Sequence, residues 1–162
     1  MKSRFVRIIS STISVATLVI LAPCIGNAQN ENAGGQLVGT WDVAVTVTDC
    51  GSGNTITSFA SLATIMRDGI SIGSTAGMPQ ASRTPEHGVW RHVEGRNYVF
   101  GFKSFNFDPA GDPAGWAILK HDLALGKDGD SYTSSGIVRI YAPNGIQVAQ
   151  GCSSAIGTRL VL

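Results

Sequence analysis

The chain has 162 residues, 20 of them glycine, and its 12 Lys and Arg nearly balance its 11 Asp and Glu. This length predicts a single domain with a hydrophobic core of its own. Beyond the first few positions the basic residues are spread through separate segments and form no run, which argues against a nucleic-acid partner.

Residues 1–28 have the pattern of a secretory signal peptide. A basic start is followed by an almost unbroken apolar stretch over residues 8–22, and small residues up to Ala28 precede a cleavage site. We predict cleavage after Ala28 and export to the periplasm or the extracellular space. The remaining chain would carry nine basic and eleven acidic side chains, a net charge of −2.

Two alternatives to this cleavage keep the N-terminus at a membrane. The sequence Leu21-Ala22-Pro23-Cys24 resembles a lipobox, whose final cysteine carries a lipid. The apolar stretch could also stay uncleaved as an anchor. Contact with a membrane is expected only through such an uncleaved or lipidated N-terminus.

Cysteine usage agrees with export. Without the signal peptide, Cys50 and Cys152 remain, and a pair of cysteines in an oxidising compartment predicts a disulfide. The bond would close a loop of about 100 residues, for which the chain-entropy model gives a stabilisation of about 4–5 kcal/mol as an upper value. Nothing in the spacing of these cysteines indicates a metal site.

The rest of the chain alternates as β-strands do. Residues 29–37 are rich in Asn, Glu and Gly and predict a flexible lead-in, which places the domain at 38–162. Over residues 40–49, apolar side chains such as Trp41 and Val43 alternate with more polar ones, as in a strand with one buried face. Seven more alternating segments follow between turns. We place them at 55–67, 70–75, 87–93, 98–107, 116–125, 131–142 and 146–162.

Eight short strands joined mostly by short turns predict an all-β fold, a single antiparallel up-and-down barrel closed by its first and last strands. Setting Cys50 opposite Cys152 places Trp41 opposite Val161, with Arg159 diagonally adjacent. Because Trp41 and Cys50 differ in parity, the disulfide is expected on the other face of the first strand unless a bulge intervenes.

Gly39-Thr40-Trp41 in the first strand and Arg159 in the last resemble the lipocalin (calycin-type) pattern. The resemblance implies that Trp41 plugs the barrel under the Arg159 guanidinium and that a small apolar molecule binds inside. Avidin-type barrels also begin with Gly-Thr-Trp. The segment His87-Gly88-Val89-Trp90 is similar to a strand of uncharacterised secreted bacterial barrels and carries no functional implication.

The candidate site is the barrel interior. His121 shares a strand face with leucines, where a polar anchor would be useful, and the aperiodic segment 76–86 is expected to guard the mouth of the barrel. The residues predicted to line a ligand cavity are Trp90, Phe100, Phe102, Leu119 and His121.

Three functions fit this sequence. The first is a secreted binder of a small apolar molecule. The second is a small-barrel cyclase or isomerase, similar to allene oxide cyclase, with His121 or His92 as general acid or base. The third is a structural or inhibitor-like interaction module, including a small outer-membrane barrel, against which the short turns and the predicted disulfide argue. No motif for a cofactor or a metal occurs, and we assign no catalytic residue.

Overall fold

The computed structural model describes residues 35–161. The predicted signal peptide at 1–28, with the alternative lipidation at Cys24, lies outside the described residues. So do residues 29–34 of the lead-in. Within the described range, no helix is long and apolar enough to cross a membrane.

Eight antiparallel strands close into one barrel, which confirms the predicted fold class. Each strand pairs with the next along the chain, and the last strand pairs with the first. A short 3-10 turn, Gln80–Ser82, lies in the connection between the third and fourth strands. The strands are β1 Gly39–Thr48, β2 Thr55–Ile65, β3 Ile70–Thr75, β4 Glu86–Glu94, β5 Asn97–Phe107, β6 Pro113–Leu125, β7 Ser131–Tyr141 and β8 Gln147–Arg159.

The strand β6 shows how the sequence builds the wall. Leu119, His121 and Leu123 are buried, whereas Lys120 and Asp122 between them are exposed. Successive side chains of a strand point to opposite faces, so one set fills the barrel and the other meets solvent. Side chains alternate in the same way on the other strands, so each strand contributes one set of residues to the barrel interior.

The closing register differs from our prediction by two residues. Trp41 lies opposite Arg159, and not opposite Val161, and Thr48 lies opposite Cys152. The pairing of β1 with β8 runs without interruption between these two points. The predicted register was wrong by two residues because it treated Cys50 as part of the strand that pairs with β8.

Cys50 instead lies beyond the end of β1, in the turn 49–54. It forms the predicted disulfide with Cys152, and the two Cα atoms are 5.0 Å apart. The neighbours of Cys152 on β8, Gly151 and Ser153, are buried, so Cys152 faces outward. The disulfide therefore crosses the seam on the outside of the barrel, and the parity difference needs no bulge in the pairing of β1 with β8.

One end of the barrel is filled by large side chains. Trp41 is fully buried, and its indole Nε1–H donates a hydrogen bond to the Leu37 carbonyl at 3.0 Å. The Tyr132 ring meets the indole edge-on, with centroids 4.9 Å apart. The Arg159 guanidinium lies 4.3 Å from the indole centroid, as the lipocalin resemblance implied. We call this end the base, and define it by Leu37, Trp41, Tyr98, Leu125, Tyr132 and Arg159.

Arg159 also fixes the chain around the base. It donates hydrogen bonds to the carbonyls of Gln36, Val38 and Gly129, and it pairs with Asp130 at 2.9 Å. The contact between a guanidinium and an indole face contributes about 0.5–2 kcal/mol. The segment just before β1, whose composition predicted a flexible lead-in, is therefore held against the barrel.

Candidate functional site

A cavity of about 490 Å³ lies between the base and the opposite end of the barrel. We call that opposite end the mouth, which is formed by the connections 49–54, 76–85, 108–112 and 142–146. The walls of the cavity are mainly apolar and include a few polar side chains. The apolar lining includes Val43, Val45, Phe59, Phe100, Phe102, Ala117, Leu119 and Ile140, and the polar lining includes Arg83, Glu86, Asn106, His121 and Ser153.

Four of the five residues predicted to line a cavity are found in its wall: Phe100, Phe102, Leu119 and His121. Trp90 is absent from this wall. It packs toward the base, 5.9 Å from the Tyr98 ring, and its Nε1–H donates to the Met66 carbonyl at 2.8 Å. Trp90 points into the barrel, but it does so near the base and therefore lies outside the cavity.

His92 is also outside the cavity wall. Its Nε2 lies 2.9 Å from the Gly95 carbonyl, and its ring meets Tyr98 edge-on at 5.1 Å. These contacts fix it to the turn that follows β4. Of the two histidines considered for acid–base chemistry, His121 alone faces the cavity.

His121 is held by two serines, one on β7 and one on β8. Its Nδ1 lies 3.0 Å from the Ser134 hydroxyl and its Nε2 lies 2.6 Å from the Ser153 hydroxyl. Gly136 lies opposite His121 in the pairing of β6 with β7, and a Cβ there would lie 2.6 Å from the imidazole Cδ2. The missing side chain at Gly136 makes the room that the imidazole occupies.

Burial lowers the pKa of His121 to about 4, an effect that the nearby Asp122 carboxylate opposes only in part. The imidazole is therefore neutral near pH 7. A neutral imidazole has one donor and one acceptor nitrogen, and the two serine hydroxyls satisfy both. His121 is therefore an uncharged polar side chain that two hydrogen bonds hold in place on a mainly apolar wall.

A second polar group lies on the mouth side of the cavity. Arg83 pairs with Glu86 at 3.1 Å, and each side chain is only about 10% exposed. The same guanidinium nitrogen, Nη2, donates to the hydroxyl of Ser104 at 2.6 Å. Burial raises the pKa of the Glu86 carboxyl, and the Arg83 charge opposes this shift. We call this group the Arg83 cluster, and define it by Arg83, Glu86, Ser104 and Asn106.

The connection 76–85 takes part in the wall, at the place where a lid was predicted. Gly77 and Met78 line the cavity. The Gly77 amide donates to the Thr75 hydroxyl at 3.1 Å, and a Cβ at Gly77 would lie 2.6 Å from the Phe59 ring. The connection is thus seated directly on a ring of the cavity wall.

Sequence reasoning missed the serines and the Arg83 cluster. Ser134 and Ser153 each lie on the inward parity of a predicted strand, so polar residues on an apolar face were a usable indication. Arg83 lies in an aperiodic segment, where parity gives no direction. No residue pattern there distinguished a buried arginine from a solvated one.

Within residues 35–161, no three His, Cys, Asp or Glu side chains are grouped so that they could hold a metal ion. Comparisons with protein-family models, with curated proteins and with solved structures found no match. The closed eight-stranded antiparallel barrel is consistent with a lipocalin-like fold and compatible with ligand binding.

Proposed function

We propose that this protein is an exported, lipocalin-like binder that holds a small apolar molecule inside its barrel. The observation that carries the proposal is the cavity of about 490 Å³ between base and mouth. Small-molecule sites are typically concave, mainly apolar and about 300–1,000 Å³ in volume, with few polar groups. This cavity has those properties.

The distribution of side chains supports binding from the mouth. The base is closed by large rings and by Arg159, whereas the connection 76–85 at the other end borders the cavity. A ligand that enters there would bury apolar surface against Phe100 and Leu119, which is the main source of affinity for such molecules. The Cys50–Cys152 disulfide supports an oxidising compartment.

Titration with N-phenyl-1-naphthylamine, an apolar dye whose fluorescence rises in apolar surroundings, tests the proposal. We expect saturable binding of one dye per chain, and displacement by medium-chain aliphatic molecules. Ala117→Phe places a ring in the cavity wall and is expected to weaken binding at least ten-fold. Ala124→Phe on the same strand faces outward and is the matched control. Absent dye binding, or equal binding by both variants, would overturn the proposal.

One observation favours a second function, a small-barrel cyclase or isomerase. His121 faces the cavity and lies 2.6 Å from the Ser153 hydroxyl, so a proton could pass between them. Binding is better supported, because a pKa of about 4 leaves His121 far from the range of an efficient acid or base near pH 7. If the protein is such an enzyme, His121→Gln will abolish turnover of a bound substrate and leave its binding in place.

A further inference from the structure

Two buried polar atoms of the Arg83 cluster have no hydrogen-bond partner within the described residues. They are the Arg83 Nε, a donor, and the Asn106 Oδ1, an acceptor. Buried polar groups in proteins are nearly always hydrogen-bonded, because leaving one unpaired costs free energy. A partner supplied from outside the chain would remove this cost.

Both residues line the cavity, so such a partner can come from a bound molecule. Arg83 and Asn106 form an isolated antiparallel bridge, which makes them direct neighbours across the wall. Side chains of directly opposed residues lie on the same face. The unpaired donor and the unpaired acceptor therefore belong to neighbouring side chains of the cavity wall.

We propose that these two atoms bind the polar end of the ligand, and that this end is an uncharged group which both accepts and donates a hydrogen bond. A primary alcohol or a primary amide on an apolar chain has this chemistry. The inference rests on the proposed function, since it assigns the class of molecule that the cavity holds.

Charge selects against a carboxylate at this place. The Arg83 guanidinium is already paired with Glu86 at 3.1 Å. A ligand carboxylate would bring a second negative charge beside Glu86 in a buried site, and it would face the Asn106 acceptor without a proton to donate. An alcohol or amide meets both free atoms and adds no charge.

The other polar group in the wall does not compete for the ligand's polar end. Both nitrogens of His121 already meet serine hydroxyls, at 3.0 and 2.6 Å. The remaining wall near it is formed by apolar residues such as Phe100 and Leu119. The ligand's apolar chain is thus expected to run from the Arg83 cluster past His121 toward the base.

The test compares molecules of one chain length, decan-1-ol, decanamide and decanoate, as displacers of N-phenyl-1-naphthylamine from the full chain. We expect decan-1-ol and decanamide to displace the dye at about ten-fold lower concentration than decanoate, because decanoate leaves the Asn106 acceptor without a donor and adds a negative charge beside Glu86. Equal potency, or preference for decanoate, would overturn the inference while the binding function stands. Absent dye binding would overturn both.

Two variants locate the preference. Arg83→Lys keeps a positive charge but lacks Nε, and Asn106→Leu keeps the side-chain shape but lacks the acceptor. Each is expected to lose most of the ten-fold preference, and the outward-facing changes Arg91→Lys and Asn97→Leu are expected to retain it. Circular dichroism verifies that each variant is folded. Preference that persists in a folded Asn106→Leu protein would contradict the assignment.

Discussion

The base and the mouth half of this barrel are built on the same eight strands, yet one is filled and the other is hollow. On β6, Leu123 and Leu125 lie on the base side, whereas the same face carries Ala117 near the mouth. On β1, Trp41 occupies the base and valines follow it toward the mouth. Alternation places the inward side chains in both halves, and on β1 and β6 the smaller inward residues lie on the mouth side.

The polar groups of the two halves differ in the same way. At the base, Arg159 and Trp41 find their partners in the protein itself. In the mouth half, Arg83 and Asn106 each retain one buried unpaired atom. The base thus satisfies these polar groups within the protein, whereas the mouth half keeps two unpaired polar atoms, to which we assign the ligand's polar end.

The largest effect is expected from emptying the base. Trp41→Ala removes a fully buried ring and the surface on which Arg159 lies, so we expect a loss of about 3–5 kcal/mol in the free energy of unfolding. Urea denaturation measures it. Phe105→Ala removes a ring that is 50% exposed and should cost much less. Similar losses of unfolding free energy in the two variants would contradict the claim that the base is packed more tightly than the exposed surface.

A smaller effect is expected at the seam. The double change Cys50→Ser with Cys152→Ser frees a loop with a sequence separation of 102 residues, so the free energy of unfolding should fall by about 2–4 kcal/mol. A reductant should lower the stability of the wild type by a similar amount and leave that of the double variant unchanged. An effect of the reductant on the variant would contradict this account.

The buried histidine predicts a dependence of stability on pH. Because the pKa of His121 falls from 6.5 in the unfolded chain to about 4 in the fold, the unfolded chain binds more protons between these values. Stability is therefore lost as pH falls from about 6.5 to about 4, by about 3 kcal/mol in all. The raised pKa of Glu86 acts in the opposite direction, so the difference between wild type and His121→Gln isolates the histidine. An unchanged pH profile in His121→Gln would contradict the assignment.

The strands of the barrel could be predicted from the sequence more easily than the residues that line its cavity. Alternation gave all eight strands and the inward face of β6, because a strand's period is visible in the chain itself. It placed Trp90 in the cavity, since parity tells inside from outside but not height along the barrel. The register of closure was wrong by two residues because Cys50 reaches across from a turn.

The polar side chains inside the barrel were harder to predict, and the reason is physical. His121 fits because Gly136, on another strand, leaves a gap for it, and Arg83 enters the cavity from a segment with no period. Both depend on which residues of different segments become neighbours in the folded barrel. Such neighbours are not encoded in the spacing of any single segment.

The most direct test of the central claim is to locate a bound ligand within the barrel. Nuclear Overhauser effects between decan-1-ol and isotope-labelled methyl groups would do this. We predict contacts to Val45 and Leu119, which line the cavity, and none to Val89 and Ile118, which face outward. Contacts confined to the outward-facing methyl groups would contradict the account.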